Sequence, residues 1–231
     1  MPRSKRIRVT ALTKTDKRAT REHKSTFIDE VRKAVDAHED LYLFSFENMR
    51  SNKFKEVRMH FRPNPMNDDA PSKIVLGKNK LLQVALGRTP EDEYSDNLRQ
   101  VSKRITGGSV GLLFTSRPRS DVEQYFATLA EPDFARAGFV APQDVSVTNE
   151  MMEHFPVSMI EELRKLGLPT KADTGKVVLM DGKSEFRICK EGETLSAEKC
   201  KLLVKFEMKL AVFQVALVCR WSKGTFEMLD E

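Results

Sequence analysis

The chain has 231 residues, 40% of them hydrophobic, and a formal net charge of +5. That length allows one large core or two small ones, and the composition is that of a folded protein rather than a disordered or fibrous one. The longest strongly apolar run, Leu210 to Cys219, is interrupted by Gln214 and reaches about half of the roughly 20 residues that span a bilayer, so no membrane association is expected.

In chain order, the first element is a basic arm. Residues 1–24 carry nine Lys or Arg against Asp16 and Glu22, a balance of +7, so the other 207 residues sum to −2. The opening Met1-Pro2-Arg3-Ser4-Lys5-Arg6 has no apolar stretch behind it, which argues against a secretory signal and for the cytosolic or nuclear side. From Ser25, the spacing of Phe27, Val31, Ala34 and Val35 predicts an amphipathic helix. Leu41 to Phe46 reads as a buried strand and Ser51 to Phe61 as a helix. Arg62 to Ser72, with Pro63, Pro65 and Pro71, reads as a loop.

Ile74 to Leu76 is the next strand, followed by a helix carrying Leu81, Leu82, Ala85 and Leu86 that Gly87 ends. A further helix is expected from Thr89 as N-cap, with Pro90 in its first turn, through Ile105. Gly107-Gly108 then stops it and Val110 to Thr115 forms a third strand. Ser120 or Asp121 is expected to cap a helix burying Val122, Phe126 and Leu129. This alternation argues for an α/β layer.

Beyond Pro132 the texture changes to short strands, Val145 to Val147, Lys176 to Leu179 and Glu185 to Cys189. Glycines and prolines separate them, with a helix at Ser158 to Leu166. A β-rich second domain is expected there. A last helix, Ser196 to about Phe206, leads into a buried strand from Leu210 to Trp221.

The arm has a direct physical use. Cations on a mobile segment displace condensed counterions from a phosphate backbone, which gives an affinity that falls steeply with salt; a nuclear localisation signal or a solvated tail would look the same. Gly77-Lys78-Asn79-Lys80 lies where a strand gives way to a helix, so free N–H groups, the helix dipole and two lysines could converge on a phosphate. An ordinary capped helix start fits equally well. It is not a Walker loop, because Asn79 stands where Ser or Thr would hold magnesium. Lys53, Lys55 and Arg58 recur on one helix, and Lys103-Arg104 precede a glycine pair; each set extends a basic surface or is simply solvated.

Chemistry is poorly represented. The four histidines, His23, His38, His60 and His154, have no zinc spacing, and Cys189, Cys200 and Cys219 form no C-x-x-C pair and read as free thiols. There is no G-x-S-x-G elbow, and Thr106 to Gly111 precedes its strand, where a dinucleotide loop would follow one. No catalytic residue, cofactor or metal is expected, and the chain is not read as an enzyme. A nucleotide-using enzyme would rest only on Gly77-Lys78 and the α/β pattern.

Four stretches carry a family resemblance. Lys73 to Asn79, Gly108 to Thr115, Arg136 to Pro142 and Leu168 to Lys171 resemble, in this order, the large-subunit ribosomal stalk-base proteins of archaea and eukaryotes. Met1 to Arg6 and Thr15-Asp16-Lys17 resemble a nucleolar branch of that family, assembly factors of the mRNA turnover protein four type. The resemblance implies a layered α/β RNA-binding domain with a β-rich second domain inserted before the C-terminal strand. The divisions expected are a basic arm at 1–24, the α/β domain at 25–134 and 208–231, and the insertion at 135–207.

The target implied is rRNA of the GTPase-associated centre, read through shape, phosphates and exposed bases. The resemblance assigns RNA contact to the arm (Arg3, Lys5, Arg6, Lys14, Lys17, Arg18), to the first helix, and to Gly77, Lys78, Asn79 and Lys80. Lys53, Lys55 and Arg58 extend that set by charge and position alone. The chain stops at Phe226 to Glu231, without the helices and acidic tail of a working stalk. The expectation is therefore a placeholder on the pre-60S particle, monomeric there and beside neighbouring ribosomal proteins. A phosphatase-like factor would release it, in the nucleolus and nucleus or after shuttling to the cytoplasm on the particle. The alternative is a structural stalk-base protein retained on mature subunits.

Overall fold

The computed structural model describes residues 21–62, 72–182 and 184–229. Most of the expected arm and the proline-rich stretch 63–71 lie outside these residues.

Helix α1 (Arg21–Ala37) buries Val31, Ala34 and Val35, as their spacing requires. It is followed by β1 (Asp40–Glu47), then α2 (Ser51–His60), which buries Phe54 and Val57. Strand β2 (Ser72–Val75) leads into α3 (Asn79–Leu86), which ends at Gly87 with φ +104°, a conformation that favours glycine. Next come α4 (Leu98–Arg104), the fully buried β3 (Val110–Thr115), α5 (Arg119–Thr128) and β4 (Ala130–Asp133). The remainder is β5 (Val145–Thr148), α6 (Asn149–Met152), α7 (Ile160–Lys165) after a 3-10 turn at Val157–Met159, β6 (Thr170–Asp173), β7 (Lys176–Leu179) and β8 (Glu185–Cys189). Helix α8 (Ala197–Lys205) has Ser196 as a true N-cap, accepting from Lys199 N, and β9 (Ala211–Ser222) and β10 (Thr225–Met228) close the chain.

Two compact units emerge. Of the described residues, the first holds 21–43, 72–116 and 218–229; the second holds 44–62, 117–182 and 184–217. In the first, the strand order is β10-β9-β1-β3-β2, with β2 antiparallel to β3 and β10 to β9. Its core gathers Val31, Leu41, Leu82, Leu86, Leu98, Val101, Leu112 and Phe114 from the sheet and three helices. A bidentate pair crosses this sheet: Arg220 Nη2 lies 2.9 and 3.1 Å from the two carboxylate oxygens of the buried Asp40.

In the second unit, β4 pairs with the early part of β9, from Ala130 opposite Gln214 to Asp133 opposite Ala211. Between those strands the chain builds two small antiparallel sheets, β5-β8 and β6-β7. Their shared core runs from Ala135 to Ala211 through Val147, Leu163, Val177, Ile188 and Leu203. Phe44, Phe54, Phe61 and Phe126 make a separate aromatic cluster, with Phe61 and Phe126 stacked 5.4 Å apart.

Some elements differ from expectation. The helix anticipated from Thr89 begins only at Leu98, because Asn97 takes φ +63° and breaks helical continuity before it. The Thr89 hydroxyl does accept from Asp92 N, but as a local turn. Side chains then satisfy the non-helical segment: Glu93 accepts from Arg99 N, Tyr94 donates to Asp36, and Asn97 donates to Gly224 O. Pro118, not Ser120 or Asp121, occupies the N-cap of α5, with no side-chain cap. Strand β9 is buried on alternate residues in its first half rather than throughout, since Val212, Gln214 and Ala216 are exposed.

Candidate nucleic-acid interface

In the first unit, Gly77 creates room that α1 uses. A Cβ at Gly77 would meet Cζ of Phe27 at 2.5 Å, well inside the roughly 3.5–4.0 Å at which carbons rest in contact. Glycine therefore lets the Phe27 ring lie against this stretch of backbone. Farther along, Arg32 Nε donates to Ala85 O at 3.2 Å. These two ties hold α1 beside α3.

Lys78 is the N-cap of α3, with an extended backbone and no side-chain cap. Its carbonyl accepts from Leu81 N and Leu82 N at 2.8 and 3.1 Å, which leaves the N–H groups of Asn79 and Lys80 ahead of the first helical bond, the orphan donors of a helix start. Lys78 and Lys80 are exposed, and neither pairs with a carboxylate among the described residues. Two donors, two cations and the positive end of the helix dipole together favour an anion.

The Asn79 side chain also links two elements. Its Nδ2 donates to Gly107 O at 2.7 Å, tying the start of α3 to the glycine turn after α4. Gln83 Nε2 adds a bond to Ile105 O at 2.8 Å. Sequence reasoning missed this juxtaposition, because 28 residues separate Asn79 from Gly107. It ties the start of α3 to the segment that follows α4, whose last residues, Lys103 and Arg104, are exposed.

The α2 residues fare unequally and belong to the second unit. Lys53 Nζ lies 2.8 Å from Glu131 and donates to Pro132 O at 3.1 Å, so its charge is compensated locally. The Arg58 guanidinium sits 5.2 Å over the Phe54 ring, and Lys55 is exposed. Arg3, Lys5, Arg6, Lys14, Lys17 and Arg18 lie outside the described residues.

No group of His, Cys, Asp and Glu among the described residues could hold a metal ion. The three cysteines are free and buried, and burial pushes the Cys189 and Cys200 thiols above the usual range. No described helix is long and apolar enough to cross a membrane.

Comparison with known proteins places the chain among ribosomal protein relatives. Residues 19–131 match the family model described as ribosomal protein L10, and residues 135–208 match the model for the insertion domain in the 60S form of that ribosomal protein. The chain is 39% identical to ribosome assembly factor mrt4 of Neurospora crassa, across all of this chain and 93% of that one. It is 34% identical to ribosome assembly factor mrt4 of Dictyostelium discoideum, across all of this chain and 98% of that one. Against large ribosomal subunit protein uL10 of Saccharomyces cerevisiae the identity is 24%, across 88% of this chain and 61% of that protein. The chain thus belongs to the mrt4 family of ribosome assembly factors, a non-enzymatic branch of the ribosomal protein L10 fold.

Proposed function

We propose that this protein occupies the GTPase-associated-centre rRNA of the large-subunit precursor as a placeholder, until the stalk-base ribosomal protein takes the same site. The observation that carries the reading is a combination within one chain. Both domains of a ribosomal protein are present, while the relatives similar along the whole length are assembly factors. Two proteins sharing one RNA-binding fold compete for one RNA surface. Mutual exclusion follows without any catalytic step.

The grip is electrostatic and backbone-directed. Lys78, Lys80 and the start of α3 meet phosphates, and the arm adds counterion release. Work in the nucleolus and nucleus, passage to the cytoplasm on the particle, and removal by a phosphatase-like factor complete the proposal. Gradient sedimentation tests it: the protein is expected with pre-60S particles and absent from polysomes. Accumulation on translating polysomes would favour instead a structural protein retained on mature subunits.

A further inference from the structure

Beside the α3 stretch lies a groove that no part of this reading uses. Helix α4 buries Leu98, Val101 and Ser102, and its other residues, Arg99, Gln100, Lys103 and Arg104, line a cavity of about 390 Å³ together with Phe226 of β10. That volume is at the lower end of the roughly 300–1,000 Å³ of small-ligand sites, the size class of one nucleotide. Three of the five lining residues are cations, and none is a carboxylate. None of the three cations pairs with an acidic side chain among the described residues. Like charges gathered on one lining repel one another, and an incoming polyanion relieves that repulsion.

The remaining lining is what a base requires. Phe226 is partly buried against the core of the first unit, so its ring is held in place rather than free. A fixed aromatic ring is a stacking platform for an unpaired base. Gln100 donates to Asn97 at 2.9 Å and is otherwise exposed, an amide with capacity left for a base edge. Helix α4, which supplies most of the groove, is followed by the turn whose Gly107 carbonyl accepts from Asn79.

We infer that this groove takes a single extruded nucleotide of the bound RNA, its base against Phe226 and Gln100 and its phosphates on Arg99, Lys103 and Arg104. The inference rests on the rRNA-binding reading above and deepens it. It makes the protein a reader of one unstacked base as well as a polyanion binder.

The test is equilibrium binding of the full chain to the large-subunit rRNA fragment over a salt series, with 4-thiouridine crosslinking mapped on the protein. Phe226→Leu keeps an apolar side chain on the core; it is expected to weaken binding about five- to hundredfold, the loss of one stacked base, with the salt slope unchanged. Lys103→Gln with Arg104→Gln is expected to lower the log–log salt slope by about 1.5 to 2. A crosslink is expected on β10 or α4. Because Phe226→Leu could loosen the hairpin, Gln100→Ala, at an exposed position, is measured beside it and is expected to lower affinity with no change in thermal midpoint. If the unaltered chain binds the RNA while all three variants bind equally well and no crosslink reaches α4 or β10, the groove proposal fails and the rRNA reading stands. If the unaltered chain does not bind the RNA, the rRNA reading fails and the groove proposal with it. Competition by an acidic peptide for the groove, with RNA affinity untouched by the variants, would also overturn it.

Discussion

Replacing Gly77 with alanine tests how the interface is assembled. The new Cβ would stand 2.5 Å from Cζ of Phe27 and 3.1 and 3.3 Å from the two Cε atoms. To restore contact at about 3.5 Å the ring must retreat by roughly 1 Å, against the core that it partly covers. Forced displacement of a packed side chain costs about 1–3 kcal/mol. The single tryptophan, Trp221, lies in the core of the same unit, so its fluorescence during urea unfolding reports that unit. Gly77→Ala is expected to lose stability in that range. In a Phe27→Leu background, where Cζ is gone, the same change should cost less than about 0.5 kcal/mol, a coupling typical of residues in contact. An equal loss in both backgrounds, or none in either, would refute the view that Gly77 exists to admit α1.

Other outcomes follow from the same geometry. Gly87→Ala puts a Cβ 2.5 Å from the Glu93 backbone at φ +104°, and should cost about 3 kcal/mol or more in the same unfolding assay, strain and overlap together. Asp40→Ala removes the carboxylate that holds Arg220 Nη2 and leaves, among the described residues, only Glu227, 4.0 Å from Nη1; it should cost about 1–3 kcal/mol, read as a lower thermal midpoint. Lys78→Gln with Lys80→Gln should lower the salt slope of rRNA binding by about 1.5 to 2, whereas Lys53→Gln, whose charge Glu131 already compensates, should leave it unchanged. Removing residues 2–24 should weaken rRNA affinity and flatten its salt dependence; an unchanged slope would assign the arm to localisation alone.

Local pattern made much of the fold legible. Apolar spacing marked α1 and α3, the strand runs marked β1 and β3, and Gly87 and Ser196 marked helix ends. Elements that depend on a partner were not legible. Strand β4 contains Pro132, a residue that argues against a strand, yet proline is tolerated at edge positions, and this one pairs opposite Val212. Strand β10 carried a usable signal, a two-residue Lys223-Gly224 loop with both residues at positive φ, the tight hairpin geometry. The false helix after Thr89 shows a cap signal losing to tertiary bonds, since Trp221 Nε1 donates to Asp96 O and Asn97 to Gly224 O. At the interface, charge and position singled out Lys78 and Lys80. Only the folded chain could show that the Asn79 side chain bonds Gly107, that Lys53 pairs with Glu131, and that Arg99, Lys103 and Arg104 share a groove with Phe226.

The central claim is that one RNA surface cannot hold this protein and the stalk-base ribosomal protein together. Native gel shift with the GTPase-associated-centre rRNA fragment, both proteins differently labelled and present above their dissociation constants, measures that directly. The account predicts two binary complexes that exchange as the protein ratio changes. A band carrying both labels on one RNA would contradict it.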